Sequence, residues 1–494
     1  MGCRYNRQAR KSVFLAFLVE SSYNKPVNDF QAERSAVPLH LSHPDRVHPD
    51  QRTWMLETPV EHLIVRLAVP TTVSMLITSI YNMADTYFVS QISTSASGAV
   101  GIVFSIMGMI QAIGFMIGVG SGSISSRLLG QNKKEEAGRY ASSAIAMAVV
   151  MGLLFSTVGL LNLKGLIWWL GSTPTIYPHA VDYAFFILLG APVMILSFTL
   201  NNLLRWQGKA KLSVVGLTTG GVLNMILDPI FIFGLNMGTR GASLATFLSQ
   251  CVSMTILASF FLRGYSDFVV SPRLISRRWR TYFNILRQGM PSFFRNGMLS
   301  LSTMVLNYNA RIYGDAAVAA MSIVTKVFSF LQSVVIGFGQ GLQPVVGYNY
   351  GAGRLSRVKR GVLFALKAAT CVLTAGAALG YLLAPQIILA FRDDPQVVAI
   401  GVRAFRYQCL IMPLMPVFVF SNMIFQGMGK SFRATTLAVC RPVFFMALAM
   451  VLCGAFGLTG LEVSQPIADL LSFLLSAMLL LRLLRGELRE TEQQ

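Results

Sequence analysis

Acidic residues are scarce in this sequence. The 494 residues include 21 Asp and Glu against 41 Lys and Arg, and charged residues of both signs make up only 13% of the chain. The five histidines form no HExxH motif and the six cysteines show no paired spacing. These absences argue against a metal-dependent enzyme and against a disulfide framework. The sequence also offers no nucleophile with a matching base, so we expect a protein that is not an enzyme and uses no cofactor.

The excess of basic residues does not indicate nucleic-acid binding. The net charge is +20, but no zinc-finger spacing and no RNA-binding signature accompany it. The basic residues lie between apolar runs instead. We therefore expect no nucleic-acid partner.

Apolar runs dominate the chain. Hydrophobic residues make up 54% of it, the mean hydropathy is +0.57, and runs of about 20 apolar residues, long enough to cross a bilayer, recur throughout. The sequence predicts an all-α integral membrane protein of twelve transmembrane helices. The predicted spans are 63–92, 98–130, 137–162, 179–204, 212–234, 241–264, 283–311, 316–347, 357–384, 397–425, 433–457 and 460–485.

Basic residues alternate from loop to loop. Most basic residues near span ends lie in the loops after spans 2, 4, 6, 8 and 10 and in the C-terminal tail. The other five loops carry only Lys164, Arg240, Arg311 and Arg392. Basic loops stay on the cytoplasmic side of a membrane. This pattern predicts both termini in the cytoplasm and a multi-pass protein of the inner or plasma membrane.

The two halves of the chain repeat at an offset of 221 residues. Among the like pairs are Pro70 and Pro291, Gly120 and Gly341, Gly130 and Gly351, Pro192 and Pro413, and Asn201 and Asn422. Because each repeat has six spans, both copies face the same way. They should form two six-helix bundles related by a pseudo-twofold axis along the membrane normal, with a cleft between them.

The chain divides into five parts on this reading. Residues 1–55 lack helical periodicity, and we expect a disordered N-terminal extension there, with Met55 as an alternative start. The predicted remainder is an N-lobe over 56–264, a basic cytoplasmic linker over 265–282, a C-lobe over 283–485 and a cytoplasmic tail over 486–494. We expect the protein to be a monomer in the bilayer.

The fifth span contains two polar groups that lipid disfavours. Asn224 and Asp228 are four residues apart, so they stack on one helix face about 6 Å from each other. Pro229 follows and leaves a backbone carbonyl one turn back without its helical donor. An acid in a membrane span costs roughly 2.5–3.5 kcal/mol on insertion scales and usually lines a pathway or a pocket.

Two further polar groups share the depth of Asp228. Counting from the outer ends of their spans, Asp85, Asp228 and Thr246 lie about 10, 9 and 7.5 Å below the outer surface. Tyr81 is one turn before Asp85, in the span that Pro70 interrupts. These groups are suited to share one proton or Na⁺, and we predict no other metal. The alternative is that each acid separately bonds a neighbour and only fixes helix packing.

Three deep charges stand apart from this group. Asp469 in span 12 has no acidic partner in the second lobe, and we interpret it as structural. Arg295 and Lys326 lie in spans 7 and 8. Either could line the cleft, reach a span end, or bond a backbone carbonyl.

Glycine-rich ends of spans 2 and 8 carry a family resemblance. Span 8 ends GFGQGLQPVVGYNYGAG over 337–353, and span 2 ends GVGSGSISSRLLGQN over 118–132. Small residues allow close helix packing. Together with the repeat and Pro70, these stretches resemble the MATE (multidrug and toxic compound extrusion) transporters over roughly residues 56–485.

The resemblance is closest to the DinF-like branch, which includes MepA-type drug pumps. In that branch a cation site of the first lobe uses an Asp of helix 1, an Asn and an Asp four apart on helix 5, and a Thr of helix 6. Asp85, Asn224, Asp228 and Thr246 match those positions, and Tyr81 matches a tyrosine before the first acid. The resemblance implies an antiporter that exports amphipathic, often cationic, small molecules in exchange for H⁺ or Na⁺ by alternating access.

Other functions fit less well. A lipid-linked oligosaccharide flippase of the same superfamily should have more cations in its span interiors. A sugar transporter of the major facilitator type should have an acidic and basic signature after span 2, where RLLGQNKK stands. A passive channel agrees poorly with a twofold repeat and buried acids.

Overall fold

The computed structural model describes residues 51–488, so the predictions for residues 1–50 and 489–494 lie outside the described residues. The described part is built of α-helices. Those of the first half are α1 (Gln51–Glu57), α2 (Val60–Ser90), α3 (Thr94–Gly130), α4 (Lys134–Leu161), α5 (Leu163–Trp169), α6 (Tyr177–Leu189), α7 (Ala191–Trp206), α8 (Ala210–Pro229) and α9 (Gly238–Leu262). Those of the second half are α10 (Trp279–Ala310), α11 (Asp315–Gly351), α12 (Leu355–Leu382), α13 (Ala384–Phe391), α14 (Pro395–Ile411), α15 (Met415–Gly427) and α16 (Ser431–Arg485).

Polar caps begin some of these helices where the apolar runs start. The side chain of Ser93 accepts a hydrogen bond from the backbone N–H of Ala96 at 3.0 Å, before α3. The carboxylate of Asp394 accepts from the N–H groups of Gln396 and Val397, before α14. Such caps satisfy backbone donors that have no partner inside the helix.

The described helices account for the twelve predicted spans. Nine of them are long and apolar enough to cross a bilayer, and α6 with α7, bent by 51° at Gly190, makes a tenth. The 55-residue α16 is two helices, because Gly457 has a non-helical φ of 63° and ψ of −141°. A Cβ added at Gly460 would lie 1.9 Å from the carbonyl oxygen of Leu452, so the chain reverses direction there. The 32-residue α10, which is more polar, is the remaining span.

Contacts within and between the halves repeat at the sequence offset. Asn201 donates to the carbonyl of Ser213, and Asn422 donates to the carbonyl of Ala434. Between the halves, a Cβ at Gly130 would lie 2.2 Å from the carbonyl oxygen of Tyr348, and one at Gly351 would lie 2.2 Å from that of Arg127. In both cases the two contacts join equivalent positions of the repeat, which differ by 221 residues. This is the signature of the predicted pseudo-twofold axis.

The halves meet mainly at one end of the bundle, called here the basic end because its loops carry most of the basic residues. There α3 packs along α10, and α2 packs along α11. Hydrogen bonds between the halves run from this end to the middle of the bundle, where the hydroxyls of Ser79 and Ser333 lie 2.9 Å apart.

The boundary predicted at residue 55 is wrong for residues 51–55, which belong to α1. Met55 is fully buried and packs with the core of the second half. Gln51 donates to the carbonyl of Gln207 in the first half, while Asn349 in the second half donates to the carbonyl of Met55. The segment is ordered because it buries one apolar face against both halves. So short a helix has no repeating sequence pattern from which this contact could be predicted.

Candidate functional site

Three helices bring the predicted polar groups of the first half together. Asn224 and Asp228 are one turn apart at the end of α8, and the Asn224 amide donates to Asp228 Oδ1 at 3.0 Å. The same amide nitrogen lies 3.3 Å from the hydroxyl of Thr246 on α9. All three side chains are buried, and Asp228 is fully shielded from solvent.

Asp85 joins this group from α2. It is buried, and its carboxylate interacts electrostatically with that of Asp228. One oxygen of each acid, Asp85 Oδ1 and Asp228 Oδ2, is buried without a hydrogen-bond donor among the described residues. Burying two neighbouring carboxylates is costly unless a proton or a cation offsets the charge.

Tyr183 is a member of the site that sequence reasoning missed. Its hydroxyl donates to Asp85 Oδ2 at 3.1 Å from α6, and it also lies within electrostatic range of Asp228. Its position, four residues from the outer end of predicted span 4, lies about 6 Å below the outer surface, close to the depth of Thr246. A depth count places Tyr183 near the acids but does not show which residue its hydroxyl bonds.

Tyr81 lies within electrostatic range of Asp85, beside the acids. Its ring packs on α8, where a Cβ at Gly221 would lie 3.1 Å from Tyr81 Cδ1. No hydrogen bond joins its hydroxyl to a carboxylate in the part of the chain that the structure describes. Tyr81 fixes the spacing of α2 and α8, and Tyr183 is the phenol bonded to Asp85.

The two prolines have different places in their helices. Pro229 ends α8, and a π-helical turn over Ile230–Gly234 follows it directly after Asp228. Pro70 lies inside α2, beside Thr71, whose hydroxyl donates to the carbonyl of Gly337 across the interface at 2.7 Å. Prolines and π turns are common causes of helix bending, and π turns often mark functional sites.

The deep charges of the second half have surroundings of three kinds. Asp469 is buried, accepts from Arg441 at 2.6 Å and from Gln408 at 2.8 Å, and so has both oxygens bonded. Arg295 donates to Asn422 at 3.3 Å, and Lys326 is exposed. The second half thus holds an acid that is already paired with an arginine.

The site has the donor set of a cation or proton site. Two carboxylates, an amide and a hydroxyl supply oxygen ligands, which suit hard cations such as Na⁺, and either carboxylate can take a proton. An arrangement of two repeated helical halves with buried acids in one of them defines a multi-pass membrane transporter, not an enzyme.

Comparisons with known proteins identify the kind of transporter. A profile of the MatE family matches residues 70–230 and 291–451, two segments that begin and end at the same offset. The chain belongs to the MatE family. It is 26% identical over 427 residues to the "Multidrug export protein MepA" of Staphylococcus saprophyticus, covering 86% of this chain and 94% of that protein.

Solved structures agree with the fold. One described as MATE in complex with MaL6 has a TM-score of 0.84 and 25% identity, and covers 90% of this chain and 100% of its own. Another, an outward-facing multidrug resistance MATE family transporter of the MOP superfamily, has a TM-score of 0.83 and 26% identity, with 89% and 99% covered. The predicted family and its two-lobe, twelve-helix fold are therefore confirmed.

Proposed function

We propose that this protein is a multidrug exporter that moves amphipathic, often cationic, small molecules out of the cell in exchange for H⁺ or Na⁺. The observation that carries the proposal is the pair of buried carboxylates, Asp85 and Asp228, each with one oxygen free of any donor among the described residues. The family and the MepA relatives support drug export over the flippase alternative.

In this proposal the coupling ion binds between Asp85, Asn224, Asp228 and Thr246 while the lobes touch at the basic end. Binding neutralises charge beside the helices interrupted by Pro70 and Pro229, so these helices change their bend and cargo leaves outward. The lobes then part at the basic end, the ion leaves and new cargo enters. Because the coupling is reciprocal, ion and cargo each weaken the binding of the other.

The proposed placement in the membrane follows the loop charges. The N-lobe (56–264) and C-lobe (283–485), joined by the 265–282 linker, lie in the inner or plasma membrane as a monomer. Their basic ends and both termini are in the cytoplasm.

Transport by reconstituted protein tests the site. Asp85→Asn and Asp228→Asn should each lower ethidium export in proteoliposomes to the leak rate, because neither amide can exchange a proton or balance Na⁺. Asp182→Asn is the matched control: Asp182 is exposed, next to Tyr183 in the chain, and should keep wild-type export. Imposing a pH gradient or a Na⁺ gradient separately identifies the ion. Normal export by either site variant, with the protein monodisperse, would contradict the proposal.

A further inference from the structure

The interface between the lobes buries arginines that have no acidic partner. Arg205 at the end of α7 is 2% exposed. Its Nη1 donates across the interface to the carbonyl of Gln340 at 3.2 Å and to Gln343 Oε1 at 2.9 Å. Its Nη2 donates to Asn202 Oδ1. All of these acceptors are neutral.

A second arginine approaches Arg205 from the other lobe. Arg295 on α10 is half-buried, donates to Asn422 Oδ1 at 3.3 Å, and acts electrostatically on Arg205. Among the described residues neither guanidinium belongs to an ion pair. The pair Arg205 and Arg295 is called here the arginine pair.

Elsewhere the fold pairs arginines with buried acids. Arg441 is bonded to Asp469 at 2.6 Å, and the more exposed Arg403 is bonded to the buried Glu462 at 3.0 Å. Two like charges buried together without a counter-ion are costly. A guanidinium also presents parallel donors that match a carboxylate. The arginine pair therefore has the charge and the donors of an anion-binding site. While the interface is closed, neutral amide oxygens accept the hydrogen bonds of Arg205 in place of an anion.

Opening of the interface would free these donors. Arg205 belongs to the first lobe, while Gln340 and Gln343 belong to the second, so their hydrogen bonds break when the lobes separate at the basic end. Both guanidiniums then face the cleft from opposite walls. Their charge favours a cargo that carries an anionic group over one that is only cationic.

We propose that the arginine pair binds the carboxylate of an amphipathic cargo in the inward-open state, so that the preferred cargo is zwitterionic and not simply cationic. The inference rests on the proposed export function and names its substrate class. The amides that now satisfy Arg205 exchange places with the cargo carboxylate during each cycle. Closing the interface on the way out restores them and expels the anionic group.

A matched pair of cargos tests this inference. The probes are a fluoroquinolone with its free carboxylate and the carboxamide of the same molecule, measured for export in proteoliposomes under the same ion gradient. Wild-type protein should export the acid about tenfold faster than the amide, the size expected for one charge-assisted hydrogen-bonded contact. In Arg205→Met and Arg295→Met the acid-to-amide ratio should fall to about one.

Two further variants separate recognition from a loss of folding or of lobe contact. Arg205→Lys and Arg295→Lys keep the charge and should restore a ratio above one. Arg127→Met removes a guanidinium bonded across the same interface to the carbonyl of Gly427, and it should keep the wild-type ratio.

A ratio near one in wild type, or an unchanged ratio in both methionine variants, would overturn the inference while leaving export itself intact. A fall in the ratio for Arg127→Met equal to that of the pair would also overturn it, because lobe contact would then be the cause. Wild-type protein that exports neither probe would overturn the proposed function and this inference with it.

Discussion

At the scale of single residues, the two lobes differ in how the charge of a buried carboxylate is offset. The first lobe buries Asp85 and Asp228 with an oxygen of each left without a donor. The second lobe buries Asp469 with both oxygens bonded, one of them to Arg441. A tethered guanidinium in the second lobe thus occupies the role that we propose for a mobile cation in the first.

A double-mutant cycle tests that Arg441 serves as the fixed counter-ion of Asp469. Arg441→Met should lower the free energy of unfolding by about 3–5 kcal/mol, since it leaves a buried carboxylate without its charge partner. The double variant Arg441→Met with Asp469→Leu should recover most of this loss, because an apolar pair replaces the ion pair. Thermal unfolding of the purified protein measures both. A double variant as unstable as the single one would show that the charges do not compensate each other.

Sequence reasoning identified the acids of the first-lobe site and their polar neighbours, but it missed Tyr183. Asp85, Asn224, Asp228 and Thr246 stand out because polar groups are rare in apolar spans, and the structure places them together. Tyr183 does not stand out, since a tyrosine in an apolar run is usually a packing residue. Its partner, Asp85, lies 98 positions away in the chain, and a single sequence carries no sign of such a pairing.

At the scale of helices, the lobes close through contacts that leave no room for a side chain. A Cβ added at Gly289 on α10 would lie 1.9 Å from the carbonyl oxygen of Met116 on α3. The backbones of these two helices therefore touch directly near the basic end. Gly297, two turns further along α10, has open space at its Cβ position.

This contrast gives a matched pair of variants for lobe closure. Gly289→Ala should cost about 1–3 kcal/mol in the state with a closed basic end, the usual penalty for overpacking, and should slow export about tenfold. Gly297→Ala should leave export unchanged. Spin labels at exposed Lys133 and Ser356, one on each lobe, should move apart in Gly289→Ala alone. An unchanged label distance would show that α3 and α10 relax without opening the interface.

Helix boundaries followed the sequence where breakers mark them and failed where packing decides. The repeated Pro192 and Pro413 lie where spans 4 and 10 are broken into two helices each. The boundary predicted at residue 55 was wrong for residues 51–55, because α1 is held in place by burial of Met55, which no local sequence pattern marks. Propensity in so short a helix is weaker than its tertiary contacts.

At the scale of the whole molecule, the offset of 221 residues predicted the architecture. One offset relates the like residues, the two segments matched by the family profile, and the contacts of Gly130 and Gly351 between the lobes. The repeat could not predict how the lobes differ, because positions such as Asp85 and Asp228 have apolar equivalents, Leu306 and Ala449, in the second lobe. The proposed ion site lies in that departure from symmetry.

The orientation in the membrane is the remaining prediction, and it decides the direction of transport. In a cysteine-free background, Lys164→Cys and Arg392→Cys should react with an impermeant maleimide in intact cells, because both exposed positions lie in the sparsely charged loops. Lys133→Cys and Arg277→Cys, exposed in the basic loops, should react only after permeabilisation. Labelling of either basic loop in intact cells would show that the protein has the opposite orientation in the membrane. The acids of the first lobe would then face the cytoplasm, and an inward ion gradient could no longer load them from outside to drive export.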